Sequence, residues 1–139
     1  TSNLVVMPFT VPHRDEYSET VGFKIISNNK SVLFIPDIDK WEKWEAHIVS
    51  EIEQVDYAFI DATFYDAAEI NNRDIAEIPH PFIIESMRLF ETMPLKERNK
   101  IHFIHFNHTN PALLPESDQS KLIVDKGFKI ARINDVIRL

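Results

Sequence analysis

Two aspartates and two histidines in this sequence occupy positions from which they could bind a metal ion. Asp37 and Asp61 each follow a short apolar strand, His105 lies near the end of another, and His80 stands at the predicted start of a helix. In open α/β sheets, ligands bind outside the carboxyl ends of the strands, so these side chains can converge on one edge of a sheet. Carboxylate and imidazole groups suit Zn, Mn or Fe in a hydrolytic site, where the ion lowers the pKa of a bound water. The pattern therefore favours a divalent metal site.

Each of these four residues also has a purely structural explanation. Asp37 could form a turn, Asp61 could accept hydrogen bonds from loop backbone, His80 could cap a helix, and His105 could be a hydrogen-bonded core histidine. Buried polar groups must find partners in either case. From the residues alone two interpretations stay open: a metal site, or a set of structural hydrogen bonds.

The other histidines carry weaker signals. His102, His105 and His108 suggest a three-histidine metal site, but residues three apart on a regular strand point to opposite faces of the sheet. His102 and His105 should therefore not share one ion. We expect His13, in a loop, and His47, on a helix, to be surface residues.

The composition excludes several classes of protein. The 139 residues suffice for one domain, and 44% hydrophobic with 27% charged residues is typical of a globular protein. The absence of cysteine excludes disulfides, thiolate metal sites and cysteine nucleophiles. Only two glycines are present, too few for a glycine-rich phosphate-binding loop.

The charge and hydropathy of the chain indicate which partners it could bind. Fifteen Lys and Arg against 22 Asp and Glu give a net charge of −7, which argues against nucleic acid as a partner because phosphate contacts need clustered basic residues. No apolar run approaches the roughly 20 residues of a membrane-spanning helix. We therefore expect a cytoplasmic protein that does not contact a membrane.

Hydrophobic periodicity predicts strands that alternate with helices. The predicted strands are 4–7, 21–26, 31–35, 57–60, 101–106, 128–133 and 136–139. Helices are predicted from Asp39 to Ile52, from Pro81 onward, and from about Glu116 to Gly127. A tight turn at 28–30 joins the second and third strands as a hairpin, so the sheet should be mixed. The alternation predicts a layered α/β fold.

Three segments resemble motifs of a known superfamily. Segment 60–65, Ile-Asp-Ala-Thr-Phe-Tyr, with Glu69 after it, resembles the pattern Asp-Gly-Thr-Phe-Trp followed by an acidic residue. Segment 105–111, His-Phe-Asn-His-Thr-Asn-Pro, resembles His-Ile-Asn-Asn-Thr-Asn-Pro, and 13–23 resembles the entry into the second half of the same proteins. These patterns are similar to the C-terminal half of metallo-β-lactamase-superfamily proteins. The pyrroloquinoline quinone biosynthesis protein B group is nearest in pattern, and ribonuclease Z is more distant.

The resemblance implies a fold and a domain organisation. Residues 1–139 would form a single domain that is half of an αββα sandwich, with a mixed sheet and helices on one face. The metal site would lie at a sheet edge between the two halves. The first metal motif of the superfamily, His-x-His-x-Asp-His, does not occur in these residues, so an N-terminal half is expected elsewhere. A half sandwich exposes a large apolar face, and we therefore expect self-association or pairing with that N-terminal half.

The resemblance also implies roles for individual residues. Asp37 falls at the position of the metal-bridging aspartate and His105 at that of the last metal-binding histidine. His80 matches the histidine that assists proton transfer in the nuclease branch, although Pro79 replaces the glycine that precedes it there. Three further residues are expected to support the site or contact substrate: Asp61, Asn107 and Asn110.

The function implied by the resemblance is that of a metal-dependent hydrolase, with zinc ahead of Mn or Fe as the metal. A small molecule or phosphodiester would be cleaved by a metal-activated water, and the chain by itself should be inactive. One alternative is a metal-binding protein of cofactor biosynthesis, like the protein B group. Another is a non-enzymatic module.

Overall fold

The structure is a computed structural model that describes residues 3–14, 17–71 and 73–139. A mixed sheet of six strands forms its framework. In order across the sheet, the strands are β1 (Val5–Val11), β2 (Thr20–Ile26), β3 (Ser31–Ile35), β4 (Tyr57–Asp61), β5 (Ile101–Ile104) and β6 (Lys129–Ile130). Strands β1, β2 and β3 pair with one another in antiparallel order, whereas β3, β4, β5 and β6 are parallel to one another. The predicted α/β class and mixed sheet are confirmed.

Short helices connect the parallel strands. They are α1 (Ile48–Glu53), α2 (Ile83–Phe90), α3 (Leu95–Arg98) and α4 (Asp118–Asp125). Helix α2 begins at Ile83 because the Glu85 carboxylate accepts a hydrogen bond from the backbone N–H of Phe82, at 2.8 Å, and so satisfies one free donor of the first turn. Within the described ranges, no helix is long and apolar enough to cross a membrane.

The predicted continuous helix from Asp39 to Ile52 is wrong. The Asp39 carboxylate accepts a hydrogen bond from the adjacent Lys40 backbone, at 2.7 Å, and pairs with Lys43, so it does not cap a longer helix. Only a single 3₁₀ turn, Trp41–Lys43, forms there, and α1 starts later. Helical periodicity places Trp41 and Ile52 on one apolar face, and both are buried, but such a face does not require an unbroken helix.

The outer strands also differ from the prediction. Strand β1 continues through Pro8 to Val11, because a proline, which has no N–H to donate, is tolerated on an edge strand. At the other edge, β6 spans two residues and 136–139 is not a strand. A turn follows β6, where Asp135 accepts a hydrogen bond from the Arg132 backbone at 2.8 Å and stops the pairing. Residues 15 and 16, in the loop predicted after the first strand, lie outside the described residues.

The two faces of the sheet have different surroundings. One face carries fully buried residues such as Leu33, Ile60 and Phe103, which pack with helix residues in a single core. This arrangement confirms helices on one face. The opposite face carries a row of paired side chains that runs across four strands: Phe23, Phe34, Phe59 and His102. These four residues are not part of the helix-packed core.

Candidate metal centre

Four acidic and histidine side chains meet at the carboxyl edge of the parallel strands. Asp37 follows β3, Asp61 ends β4, His105 follows β5, and His80 comes from the loop before α2. One potential ligand atom of each residue lies within 4.8 Å of those of the other three. The four residues singled out in the sequence are therefore brought together in space.

Asp61 is at the centre of this cluster and is fully buried. Its Oδ1 accepts hydrogen bonds from the backbone N–H of Thr63, at 2.9 Å, and from its hydroxyl, at 2.7 Å. Its Oδ2 accepts one from the Ile38 backbone, at 3.3 Å, and lies 2.8 Å from His80 Nδ1. Burial alone would raise the pKa of Asp61, but its interactions with His105, His80 and Thr63 hold that pKa below its usual value. Donors lie on both Asp61 oxygens, which is the arrangement of an ionised carboxylate that can only accept.

His105 does not lie within a strand as predicted. Strand β5 ends at Ile104, and His105 has a φ of 62°, a left-handed conformation that residues other than glycine seldom adopt. Its side chain is 46% exposed, which excludes a core histidine, and Nδ1 lies 3.5 Å from Asp61 Oδ1. The nearby Asp61 carboxylate raises the pKa of His105 despite partial burial. A backbone conformation of this kind is often retained where a side chain must be aimed at a site.

His13 lies against Asp37 of this cluster, which contradicts the prediction of a surface residue. Its side chain is 16% exposed, and Nε2 lies 3.0 Å from Asp37 Oδ1. Its ring meets the His80 ring edge-on, with centroids 5.4 Å apart. Asp37 Oδ1 is in turn 3.4 Å from His80 Nδ1. Sequence reasoning missed His13.

The buried atoms of this cluster fit a divalent cation. Although Asp37 Oδ1 and His13 Nε2 are close, their contact lacks hydrogen-bond geometry, and both atoms are buried without a hydrogen-bond partner. A buried polar atom left without a partner costs about 1–3 kcal/mol. A cation would satisfy the carboxylate oxygen and, with His13 neutral, the nitrogen lone pair as well. Imidazole and carboxylate donors together suit zinc, and also Mn or Fe.

Asn110 supports the loop that follows β4. It is 2% exposed, its Nδ2 donates to the carbonyl oxygens of Ala62, at 2.9 Å, and Thr63, at 3.2 Å, and its Oδ1 accepts from Ala112. These bonds leave the Asn110 side chain without a free group for substrate. Its place is under the site, where it fixes the backbone around Asp61.

Asn107 lies closer to the surface and joins the two motif segments. Its Nδ2 donates to Thr109 Oγ1 at 2.7 Å, and Thr109 donates to Glu69 Oε2 at 2.9 Å. Glu69 also accepts a hydrogen bond from the Tyr65 backbone. The acidic residue after segment 60–65 is thus a link between two loops at the rim of the cluster.

The remaining histidines lie outside this cluster, within the described part of the chain. The His102 ring stacks on Phe59, with centroids 4.7 Å apart, and its Nδ1 donates to the Lys100 carbonyl at 2.9 Å. Burial lowers the pKa of His102. The prediction that His102 and His105 do not share an ion is consistent with this placement. His47 is exposed, as predicted.

Comparisons with known proteins match this architecture. Residues 1–106 match the family described as Beta-lactamase superfamily domain. Coenzyme PQQ synthesis protein B of Nitrosococcus oceani is 29% identical over 130 residues, which cover 86% of this chain and 41% of that protein. The protein of the same name from Gluconobacter oxydans is 24% identical, over 99% of this chain and 49% of that protein.

A solved structure shares the fold. The crystal structure of Zn(2+)-bound PqqB from Methylobacterium extorquens matches with a TM-score of 0.74 and 21% identity, over 98% of this chain and 50% of that one. The chain thus spans about half the length of the relatives it matches. The more distant resemblance to ribonuclease Z stays a prediction. With most of its length matched by the family, the chain belongs to the β-lactamase superfamily and resembles PqqB in fold.

Proposed function

We propose that this chain forms the C-terminal part of a metal-dependent hydrolase and supplies Asp37 and His105 as metal ligands, with His13 as a further one. The observation that carries the proposal is the contact of 2.8 Å between the buried Asp61 and His80, beside the four-residue cluster. A carboxylate that holds a histidine next to a metal site is an arrangement suited to proton transfer.

The residues of the chain have separate tasks in this proposal. A bound divalent ion supplies Lewis acidity and lowers the pKa of water at the site. Asp61 is acceptor-only when ionised, so it holds the Nδ1–H of His80 and leaves Nε2 to exchange a proton. When Nε2 has taken up a proton from solvent, the doubly protonated ring can pass that proton to the leaving group and return to the Nδ1–H form. The His80 side chain is 16% exposed, so a substrate can reach the ring while most water is excluded.

A small phosphodiester is the substrate class that we propose. Its leaving group is an alkoxide or phenoxide, which needs a proton as the ester bond breaks, and His80 can supply one. The net charge of −7 makes a long nucleic acid a poor fit, because a polyanion needs an extended basic surface. A single phosphodiester needs only local positive charge, which the ion supplies.

Replacing His80 by glutamine should lower hydrolysis of bis(p-nitrophenyl) phosphate by the zinc-loaded full-length protein by about 10²–10⁴-fold, the usual contribution of a positioned acid. Glutamine keeps a polar side chain of similar reach but cannot transfer a proton. The matched control is His47→Gln, at an exposed histidine outside the cluster, which should keep the wild-type rate. Equal rates in all three proteins would rule out His80 as the acid.

A second candidate function is a role in cofactor biosynthesis. The observation that favours it is the name shared by the curated relatives, Coenzyme PQQ synthesis protein B, together with the PqqB fold. In that case the cluster would bind a metal for the handling of a biosynthetic product or for oxygen chemistry. Iron in the purified full-length protein, together with no hydrolysis of phosphodiesters, would favour this function over the first.

We also propose that the sheet face without helices packs against the N-terminal half of the same fold. The row of Phe23, Phe34 and Phe59 is apolar and only partly buried, and the matched relatives are about twice as long as this chain. Aromatic side chains in such a row are typical of the inner face between two packed sheets. The metal centre would then lie at the edge of the interface.

Residues 1–139 alone should therefore self-associate, and Phe34→Lys should shift them toward monomer because a charge is buried unfavourably in an apolar interface. Sedimentation velocity over a range of concentrations measures this. The control is Leu122→Lys, which places the same charge at an exposed leucine of α4 and should leave self-association unchanged. A wild-type chain that stays monomeric, or equal association of both variants, would contradict the proposal.

A further inference from the structure

The hydroxyl of Thr63 lies between the buried carboxylate and two histidines of the cluster. Thr63 Oγ1 is 2.7 Å from Asp61 Oδ1, 3.0 Å from His105 Nδ1 and 3.2 Å from His80 Nδ1. The side chain is 9% exposed, and the backbone N–H of Thr63 donates to the same Asp61 oxygen. One hydroxyl thus touches three groups of the candidate metal centre.

The number of protons available fixes the direction of these hydrogen bonds. A threonine hydroxyl has one proton and two lone pairs, and an ionised carboxylate can only accept. The hydroxyl proton is therefore donated to Asp61 Oδ1. Toward the imidazoles, Thr63 Oγ1 can then only accept, so Nδ1 of His105 must carry a proton.

The same reasoning applies to His80 through a different acceptor. Its Nδ1 lies 2.8 Å from Asp61 Oδ2, which cannot donate. Both rings are then in the Nδ1–H form when neutral, and each keeps the lone pair on Nε2. Histidine ligands usually donate the proton of one ring nitrogen to a neighbour and bind the metal through the other.

We propose that Thr63 is a positioning residue, which holds His105 in the Nδ1–H tautomer so that Nε2 is the metal-binding atom. This inference rests on the metal site of the proposed function. Thr63 suits the role because a β-branched side chain has few χ1 rotamers, so its hydroxyl stays in place. His105 depends on Thr63 more than His80 does, since Nδ1 of His105 is 3.5 Å from the nearest Asp61 oxygen.

A competing arrangement makes the opposite prediction. If the two Nδ1 atoms bound the ion directly, alongside Asp61, the Thr63 hydroxyl would have no proton to accept from His105. Removing that hydroxyl would then leave metal affinity unchanged or raise it. The two arrangements also differ in the tautomer of the metal-free protein.

The test uses Thr63→Val, which has nearly the same shape without the hydroxyl, and Thr63→Ser, which keeps the hydroxyl. Long-range ¹H–¹⁵N spectra of the metal-free full-length protein report the tautomer of each histidine. We expect His105 to be Nδ1–H in wild type and Thr63→Ser, and a mixture of tautomers in Thr63→Val. Zinc affinity, measured by competition with a chelator, should fall about 10–100-fold in Thr63→Val and stay close to wild type in Thr63→Ser.

Either of two results would overturn the inference: an Nε2–H tautomer of His105 in the wild type, or a Thr63→Val protein with the wild-type tautomer and zinc affinity. If zinc affinity fell as far in Thr63→Ser as in Thr63→Val, the loss would reflect a general packing effect. That result would also count against the inference. The failure of the proposed function looks different. In that case the wild type would bind no zinc, while the tautomer of His105 would still depend on the Thr63 hydroxyl.

Discussion

Asp61→Asn is expected to lower hydrolysis by the zinc-loaded protein by about 10²–10⁴-fold, because His80 loses the carboxylate that orients it for proton transfer. Zinc affinity should fall at the same time by about 10–100-fold, as for other residues that orient metal ligands. Asparagine has the same shape, but its amide group is itself a donor. It would face the N–H groups of Ile38 or Thr63, or the Nδ1–H of His80, and leave one buried donor without an acceptor.

The matched control for this variant is Asp39→Asn. Asp39 follows Asp37 by two residues, but it pairs with Lys43 and lies outside the cluster. It should keep wild-type kinetics and zinc affinity. Steady-state hydrolysis of bis(p-nitrophenyl) phosphate measures the kinetics, and chelator competition measures the zinc affinity. Wild-type behaviour of Asp61→Asn would show that Asp61 has no part in the chemistry.

The pH dependence of stability follows from the same carboxylate. In the metal-free protein the pKa of Asp61 is below its usual value, so the folded state binds a proton less readily than the unfolded state. Asp61 therefore stabilises the fold above the ordinary aspartate pKa of about 3.9, and this stabilisation is lost as the pH falls through the lower folded value. The free energy of unfolding, followed by urea denaturation at several pH values, should fall less steeply toward acid in Asp61→Asn than in wild type.

The convergence of the cluster was accessible from the sequence because it depends on strand direction. Asp37, Asp61 and His105 follow three strands that are parallel and adjacent, so the ends of these strands share one edge. A short apolar run followed by an acidic or histidine residue is a local pattern, and local patterns can be read without the fold. The roles of these residues as ligands stay predictions.

His13 was missed because of an error in the length of one strand. The predicted strand 4–7 stops before Pro8, whereas β1 continues to Val11. Since β1 is antiparallel to β2 and β2 to β3, β1 runs in the same direction as β3, and its carboxyl end reaches the same edge. A hydrogen bond of 2.7 Å from the Asp39 N–H to the Pro12 carbonyl holds the two loops together. An edge strand with an internal proline was the signal that could have located His13.

The contacts of Thr63 and the conformation of His105 could not be predicted from the sequence. A threonine after an aspartate is common in loops, and nothing local shows that its hydroxyl also reaches residues 17 and 42 positions away. The positive φ of His105 is seldom adopted by residues other than glycine, and no local sequence pattern identifies the residue that will adopt it. Both features are long-range, and hydrophobic periodicity carries no information about them.

The most direct measurement is a zinc titration of the metal-free full-length protein, for wild type, Asp37→Ala, His105→Ala and the control His108→Ala. His108 is exposed and lies outside the cluster. We expect the wild type and His108→Ala to bind zinc alike. Asp37→Ala and His105→Ala should each lose more affinity than the roughly 10–100-fold expected for a positioning residue, because each loses a ligand atom. Undiminished zinc binding in both of these variants would contradict a metal centre at this edge of the sheet.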